Sequence, residues 1–404
     1  MSTSTLTLRA TALVGLTPSK RTITECVRCG ICKARCPSYE ELSKESFGAR
    51  GRVALINQLL SSGLTHTKDV SHRIFTCLLC GACNDLCPLG IDITGAIYEI
   101  RAQARLSQKR LWLMGLFVEQ LLKRPELTFT ALKIISLLGR YLPVGGYLSK
   151  LKDLRLEIPH SPLSKTLSIS KAIKPIGRVA VFAGCTVNFL LPTLGFTLTE
   201  VLNTLGYDVV IPRSSLCCGA PLLSMGTPEA AKVIAKRHIE TLSGLSVEMV
   251  ITLCPTCVYT MKEGYRRLIG QGIKHITDST AFIYQNWDRL RPNCEDLGLV
   301  YLNSLINYHH PCHTINYLHH KKEGPFILRG LGLELAEQDR CCGFGGPFRF
   351  LYGKVSMDIV KRRYREFGSQ DMIVTSCPSC ILQFRGAGIN SRHFIELIKI
   401  ALRS

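Results

Sequence analysis

The chain has 404 residues, of which 46% are hydrophobic and 20% are charged, which excludes a disordered tail and suggests two or three domains. Its 50 Lys and Arg against 30 Asp and Glu give a formal net charge of +20, which favours an acidic partner, an anionic membrane surface or a nucleic acid. The unusual feature is the 19 cysteines. Because the amino terminus lacks the pattern of a secretory signal, we expect a reducing, cytoplasmic compartment in which thiolates bind metals.

Two copies of one cysteine motif lie within residues 1–100, which we predict to form a mainly helical ferredoxin-type domain. Both fit C-x2-C-x2-C-x3-C-P, a spacing that places three thiolates on one [4Fe-4S] cube and sends the fourth to the other. The sequence therefore predicts a first cluster held by Cys26, Cys29, Cys32 and Cys87 and a second held by Cys77, Cys80, Cys83 and Cys36. A pair of structural zinc sites is the alternative, but zinc commonly takes two separated ligand pairs.

Two further features of this domain concern its backbone. Gly30 and Gly81 follow the second cysteine of each motif and let the chain pass close to a cluster. Between the motifs, an apolar stripe predicts a helix. The stripe consists of Val53, Ile56, Leu59 and Leu60.

Residues 101–177 are predicted to form a basic, partly helical connector. Between Arg101 and Arg178 the chain has 15 Lys or Arg, 4 Asp or Glu and no cysteine. Charged residues interrupt the apolar stretch from Leu111 to Leu148, so it predicts amphipathic helices rather than a membrane span. These helices could lie on a membrane surface near a quinone site or pack as a hairpin on the ferredoxin domain.

The remaining chain contains an internal duplication, with copies at 178–290 and 300–404. Cys185 and Cys312 are 127 residues apart, the two Cys-Cys-Gly triplets 124, and the two Cys-Pro-x-Cys turns 123. A near-constant offset with the same local text indicates two copies of one module.

Each copy alternates short strands with helices, which predicts a parallel sheet covered by helices. Strands are expected at Arg178 to Ala183, Met249 to Leu253 and Met372 to Thr375. A helix is expected from Leu190 to Leu205, ended by Gly206, and another after Thr227 as N-cap and Pro228. Sites form beyond the carboxyl ends of parallel strands, where Cys185, Cys254, Cys312 and Cys377 would lie. The predicted fold class is α+β and multidomain: a helical ferredoxin-type domain followed by two α/β cysteine-rich modules with short parallel sheets.

Each module supplies five candidate metal ligands. They are Cys185, Cys217, Cys218, Cys254 and Cys257 in the first, and Cys312, Cys341, Cys342, Cys377 and Cys380 in the second. Five soft ligands predict an iron–sulfur cluster, or a zinc ion with a spare thiol, or a metal-free reduced state.

The histidines near Cys312 have several interpretations. Four roles fit this group of His309, His310 and His313: metal ligand, proton carrier, hydrogen-bond donor to a ligand, or polar residue at a strand end. No matching histidines stand beside Cys185, which argues against a direct role. Cys294 is expected to be an ordinary surface or half-buried thiol.

No nucleotide-binding or nucleophile motif is present, and many redox centres without a substrate site predict an electron carrier. Several segments follow one another along the chain: Cys26-Val27-Arg28-Cys29-Gly30 through Pro37-Ser38-Tyr39, then Ala49-Arg50-Gly51-Arg52, then the second motif, and then both Cys-Cys-Gly modules. In this order they resemble the glycolate oxidase iron–sulfur subunit family. The modules also resemble the subunit of heterodisulfide reductase in which such modules hold unusual [4Fe-4S] clusters, and the third subunit of anaerobic glycerol-3-phosphate dehydrogenase.

The resemblance implies a subunit with two [4Fe-4S] clusters that carries electrons from a flavin-containing dehydrogenase subunit, which oxidises glycolate or D-lactate, toward quinone. It implies a cytoplasmic or membrane-associated complex. Family members often lack some module cysteines, whereas this chain keeps all ten, which favours clusters in both modules. A catalytic subunit that reduces a disulfide at a module cluster is the alternative. A zinc-bearing nucleic-acid binder is disfavoured because the basic excess lies in a connector with few aromatic residues.

Overall fold

The computed structural model describes residues 23–61, 63–123, 126, 128–131, 133, 159–213, 217–298, 305–368 and 372–403. Part of the predicted connector (residues 124, 125, 127, 132 and 134–158), including most of the later part of the stretch from Leu111 to Leu148, lies outside these residues. No helix in the described part combines the length and the apolar character needed to cross a bilayer.

The amino-terminal part is built from helices, as the motif spacing predicts. They are α1 (Pro37–Leu42), α2 (Ala49–Leu60), α3 (Lys68–Phe75), α4 (Ala82–Asp85), α5 (Ile93–Ala104) and α6 (Lys109–Lys123). The apolar stripe predicted on α2 is confirmed, since Val53, Ile56 and Leu59 are buried there. They share an apolar core with Ile74 of α3 and Ile97 of α5, so burial of one face fixes α2 between the two cysteine loops.

The first module contains a sheet of five strands. They are β1 (Ile169–Ser170), β2 (Gly177–Val181), β3 (Tyr207–Val210), β4 (Met249–Thr252) and β5 (Ile276–Asp278). The strand order is β1-β3-β2-β4-β5, and every neighbouring pair is parallel except β1 and β3. The strands predicted at Arg178 to Ala183 and at Met249 to Leu253 are thereby confirmed.

Helices cover this sheet. They are α7 (Leu163–Thr166), α8 (Gly184–Phe189), α9 (Pro192–Thr204), α10 (Ala220–Met225), α11 (Pro228–Ser243), α12 (Pro255–Tyr259), α13 (Tyr265–Ile269), α14 (Ser279–Gln285) and α15 (Trp287–Leu290). Gly206 lies just beyond α9 with a φ of +90°, as expected of a helix terminator. Thr227 precedes α11, but its side chain makes no cap. Its Oγ1 donates to Leu222 O at 3.0 Å instead, although Thr227 does occupy the N-cap position with Pro228 as the first helical residue, as predicted.

The second module repeats the same topology. Its strands are β6 (Ile306–His309), β7 (Leu335–Gln338), β8 (Ile373–Thr375) and β9 (Ser391–His393), all parallel in the order β7-β6-β8-β9. Its helices are α16 (Cys312–Asn316), α17 (Glu323–Gly330), α18 (Pro347–Leu351), α19 (Gly353–Glu366), α20 (Pro378–Gly386) and α21 (Phe394–Ala401). The order β3-β2-β4-β5 of the first module corresponds to this sheet strand by strand.

The two modules share one apolar core. Leu198 and Val201 of α9 lie in the same buried cluster as Phe394 and Ile398 of α21, and all four side chains are fully buried. Burial of such side chains stabilises a fold by about 1.5–3 kcal/mol each. The modules therefore pack against each other over a hydrophobic interface, which fixes the relation between their cysteine loops.

Cys294 is buried, with 1% of its surface exposed, so the expectation of a surface or half-buried thiol is wrong. It forms an isolated antiparallel bridge with Leu402, and its Sγ lies 3.6 Å from Leu290 O. The carboxyl terminus thus covers a cysteine that its polar neighbours in sequence made look accessible.

Candidate iron–sulfur sites

The two cysteine loops of the amino-terminal domain have the same backbone conformation. Gly30 and Gly81 have φ values of +87° and +82°. The residues two positions earlier, Arg28 and Leu79, also have positive φ values, +60° and +57°. Non-glycine residues in this region are uncommon, and such strain is found where backbone groups must point into a site. The duplicated text thus produces a duplicated loop.

Cys32 lies at the centre of the first set of thiols. Burial raises its pKa to about 11, and the nearby Cys26, Cys36, Cys29 and Cys87 contribute to the rise. Cys29 is exposed, whereas Cys32 is buried. Cys87, from the second motif, therefore lies beside the thiols of the first motif, as the predicted crossed arrangement requires.

The second set of thiols surrounds a small cavity. Cys36, Cys77, Cys80 and Cys83 line it together with Arg52. Burial is the main reason that the pKa of Cys83 is raised, and Cys77, Cys80 and Cys36 add to the rise. A cavity enclosed by four converging thiols fits a cluster, because thiolates are the ligands of iron–sulfur centres. Cys36 of the first motif lies on this second cavity.

Two buried arginines stand beside Cys77, and their roles were not predicted from the sequence. Arg52 donates from Nε to Arg73 O at 2.8 Å, and Arg101 donates from Nη2 to Cys77 O at 2.6 Å. Burial raises the pKa of Cys77, and the positive charges of Arg52 and Arg101 oppose that rise. Both cations therefore stabilise negative charge on the thiolates at this site. In the sequence, only the motif Arg50-Gly51-Arg52 at the start of α2 indicated a role for Arg52.

The cysteines of the first module lie at the carboxyl end of its sheet, as predicted. Cys185 is in α8 directly after β2, and Cys254 and Cys257 follow β4. Cys217 is hydrogen-bonded to Cys185, which raises the pKa of Cys217, and Cys218 is hydrogen-bonded to Cys217 and Cys257, which lowers its pKa. Gly219 N donates to Cys217 Sγ at 3.4 Å. All five candidate ligands are thus brought together.

The second module gathers its five thiols in the same way. Cys312 is hydrogen-bonded to Cys341, and Cys342 to Cys341 and Cys380. The Sγ atoms of Cys342 and Cys380 are 3.2 Å apart. Cys377 is hydrogen-bonded first to Cys254 of the other module and then to Cys380, and both bonds lower its pKa.

The three histidines near Cys312 have different surroundings. His309 is fully buried, and one of its ring nitrogens lies within 4.8 Å of the sulfurs of Cys342 and Cys380. His310 Nε2 is 2.7 Å from Glu337 Oε2, away from the thiols. His313 Nδ1 is 3.5 Å from Cys312 Sγ, and burial lowers the pKa of His313 to about 4.

The thiols of the second motif, the second module and the first module form a continuous series through the molecule. Cys80 of the second motif is hydrogen-bonded to Cys341, and this contact is the main reason that the pKa of Cys80 is raised. The Cys254–Cys377 contact joins the second module to the first. The second motif therefore adjoins the second module directly, and the first module adjoins the second.

Side chains of the second module also hold the second cysteine loop in place. Asn316 Nδ2 donates to Cys80 O at 2.9 Å, and Tyr317 Oη donates to Leu79 O at 3.1 Å. The Tyr317 ring stacks on Tyr259 of α12 with centroids 3.9 Å apart. These contacts connect the ferredoxin-type domain with both modules. No sequence pattern pointed to the two hydrogen bonds, because their partners are more than 200 residues apart.

Comparisons with known proteins agree with this arrangement. A family model described as a 4Fe-4S dicluster domain matches residues 22–91, and one described as a cysteine-rich domain matches residues 179–262 and 306–385. The chain contains two [4Fe-4S] clusters in the dicluster domain and two cysteine-rich modules.

Similar curated proteins match almost the whole chain. A probable glycolate oxidase iron–sulfur subunit of Bacillus subtilis is 29% identical, over 89% of this chain and 88% of that protein. The glycolate oxidase iron–sulfur subunit of Escherichia coli is 26% identical, over 93% of both chains. One subunit of the dihydromethanophenazine:CoB–CoM heterodisulfide reductase of Methanosarcina acetivorans is 24% identical, over 88% of this chain and 86% of that one. The resemblance noted in the sequence is confirmed: the chain carries a 4Fe-4S dicluster domain and two cysteine-rich domains, and it is similar over nearly its whole length to glycolate oxidase iron–sulfur subunits.

Proposed function

We propose that this chain is the electron-transfer subunit of a flavoprotein dehydrogenase complex that oxidises a 2-hydroxy acid, glycolate or D-lactate. A partner flavin subunit accepts the hydride, and this chain carries single electrons toward quinone or another acceptor. The observation that supports the proposal is the contact between Cys80 and Cys341, because it brings the last cubane ligand set against the second module. The complex would work in the cytoplasm or peripherally at the inner face of the membrane.

In this proposal the ligands are those expected from the sequence. Cys26, Cys29, Cys32 and Cys87 hold one cubane, and Cys77, Cys80, Cys83 and Cys36 hold the other. The bound clusters accept and release one electron at a time. The arginines beside Cys77 offset the charge of the reduced state, and the packed interface excludes water from the path.

We further propose an order of transfer: first motif, second motif, second module, first module. Cys29 is exposed at the start of this series and is flanked by exposed apolar side chains, Val27 at 67% and Ile31 at 48%. Electrons would enter from the flavin subunit there. The module thiols lie deeper, with eight of the ten buried and only Cys185 and Cys312 half-buried.

The test is anaerobic purification of the tagged chain at native expression, followed by assay of bound flavin and reduction by glycolate, D-lactate or glycerol 3-phosphate. Recovery with a flavoprotein, and bleaching of the clusters by one of these substrates, supports the proposal. Recovery of an iron-bearing chain without any flavoprotein would count decisively against it. Reduction by glycerol 3-phosphate alone would replace the hydroxy acid by that substrate.

A matched pair of variants tests the order of transfer. Cys341→Ser interrupts the contact with Cys80 but also alters a candidate ligand of the second module, so the deciding readout is reduction of the first module, whose five thiols are intact. Cys294→Ser removes a buried thiol outside the series. In the complex, the first variant should keep rapid reduction of both cubanes and lose reduction of the module clusters, while the second should behave as the parent. Equal rates in both variants would refute the order.

A second candidate function is disulfide reduction at the modules. It is favoured by the meeting of the two Cys-Pro-x-Cys turns at Cys254 and Cys377, with His313 beside Cys312. The similarity to a heterodisulfide reductase subunit supports it. The purified chain, reduced by an artificial donor, should then turn over a heterodisulfide, and the absence of turnover would remove this candidate.

A further inference from the structure

A nitrogen-bearing side chain, that of His309, the last residue of β6, lies close to the sulfurs of Cys342 and Cys380. Its ring is fully buried and packs edge-on against Phe384, with centroids 5.1 Å apart. One ring nitrogen lies within 4.8 Å of both Cys342 Sγ and Cys380 Sγ. The imidazole is therefore placed among the candidate metal ligands rather than at the protein surface.

A chain of hydrogen bonds determines which ring nitrogen carries the proton. Glu366 accepts from Arg363 Nη1 on both carboxylate oxygens, at 2.6 and 2.7 Å. The amide nitrogen of Gln338 donates to this carboxylate, so the amide oxygen Oε1 faces His309 Nδ1, at 3.4 Å. An amide oxygen only accepts hydrogen bonds, so Nδ1 must hold the proton.

The other ring nitrogen, Nε2, then presents a lone pair. It is buried and has no hydrogen-bond partner among the residues that the structure describes. A buried polar atom without a partner is costly, so native proteins satisfy it with a protein group, water or metal. Histidines that bind metals characteristically donate their other N–H to an oxygen acceptor, which is the arrangement found here.

The first module provides an internal comparison. Phe182 precedes Cys185 by three residues, as His309 precedes Cys312. Phe182 directly follows β2, and His309 is the last residue of the equivalent strand β6. Phe182 is fully buried in the apolar cluster that contains Cys218, the counterpart of Cys342. An apolar ring thus suffices for packing at this position, so packing alone does not explain an imidazole in the second module.

We propose that His309 Nε2 is an iron ligand in the second module, beside Cys342 and Cys380, and that the two modules therefore hold unlike clusters. The inference rests on the proposed presence of iron–sulfur clusters in the modules. It departs from the expectation that His309 is merely a neighbour of the ligands.

The test is pulsed EPR of the reduced, anaerobically purified full-length protein, prepared with ordinary histidine and with 15N-histidine. We expect a strongly coupled histidine nitrogen on one cluster, with frequencies that change on labelling. His309→Phe should abolish this coupling while the cubane signals remain, because phenylalanine already fits the equivalent place in the first module. His313→Gln, the matched control beside Cys312, should retain it.

The outcomes separate this inference from the proposed function. Normal iron content and cubane signals with no coupled histidine nitrogen would overturn ligation by His309 and leave electron transfer intact. A coupling that survives His309→Phe, or disappears in His313→Gln alone, would overturn it as well. If His309→Phe does not fold, the labelled and unlabelled parent proteins still show whether a histidine nitrogen is coupled to a cluster. His313→Gln then shows whether that nitrogen belongs to His313. Protein without iron would contradict the proposed function itself.

Discussion

Replacing Gly81 by alanine tests how the second cysteine loop is held against the second module. A Cβ built on Gly81 would lie 2.6 Å from two carbons of the Tyr317 ring, and Gly81 has a φ of +82°. Gly90 is the matched control, because its φ is +64° and a Cβ there meets nothing within 4 Å. At Gly30, the equivalent position in the first loop, a Cβ meets the flexible end of Arg50 at 2.9 Å.

The expected magnitudes follow from these contacts. A left-handed backbone costs a non-glycine residue about 1–2 kcal/mol, which applies to all three variants. Forcing an extra carbon into a packed site adds about 1–3 kcal/mol, which applies only to Gly81→Ala. We therefore expect a loss of roughly 2–5 kcal/mol for Gly81→Ala and about 1–2 kcal/mol for Gly90→Ala. Gly30→Ala should resemble the control, because the Arg50 side chain can move.

Denaturation of the anaerobic protein, followed by visible cluster absorbance and by circular dichroism, measures these differences. The double variant with Tyr317→Ala, measured against Tyr317→Ala alone, should recover the part of the loss that comes from the ring contact, because the truncated side chain leaves room for the new methyl group. If Gly81→Ala proves no more harmful than Gly90→Ala, or if Tyr317→Ala brings no recovery, the described contact between loop and module is incorrect.

Other perturbations give equally specific expectations. Cys36→Ser should alter the EPR signal of the cluster held by the second motif, and Cys87→Ser that of the first; the opposite assignment would exclude crossed ligation. Burial raises the pKa of Glu99 to about 7 from its ordinary 4.5, so folding favours its neutral form and stability falls as pH rises between these values. Glu99→Gln should therefore be more stable than the parent above pH 7, with a difference that vanishes below 4.5, and parallel pH profiles of the melting temperature would contradict this. Arg363 is only 1% exposed and pairs with the carboxylates of Glu40 in α1 and Glu366 in α19. Arg363→Ala should therefore lower the free energy of unfolding, measured by chemical denaturation, by about 3–5 kcal/mol. Lys232→Ala, which removes an exposed ion pair, should lower it by less than about 1 kcal/mol.

The sequence predicts those parts of the site that depend on short spacing. Each motif lies within a dozen residues, so the loops and their glycines could be inferred without a fold, while the crossed ligation by Cys36 and Cys87 stays a prediction. The constant offsets of about 125 residues likewise predict the repeated sheets, since each copy needs only its own text.

The parts that could not be predicted depend on contacts between distant segments. Asn316 and Tyr317 reach a loop more than 200 residues earlier. Cys294 is covered by the carboxyl terminus, so its polar neighbours in sequence were misleading. Arg101 is a buried cation whose backbone acceptors belong to two different domains, and no local pattern distinguishes it from a surface arginine. Polar packing of this kind has no period and no spacing rule.

The closure of the second cysteine loop by Asn316 and Cys341 has a consequence for how the protein is made. Residues 77 to 83 leave the ribosome long before these two, so during synthesis the loop lacks the wall that the second module supplies. Sulfide and iron delivered to the nascent chain would meet the cysteines of residues 77 to 83 while these are still open to solvent. The second cysteine loop therefore reaches its enclosed form only once the second module has been synthesised and has packed against it.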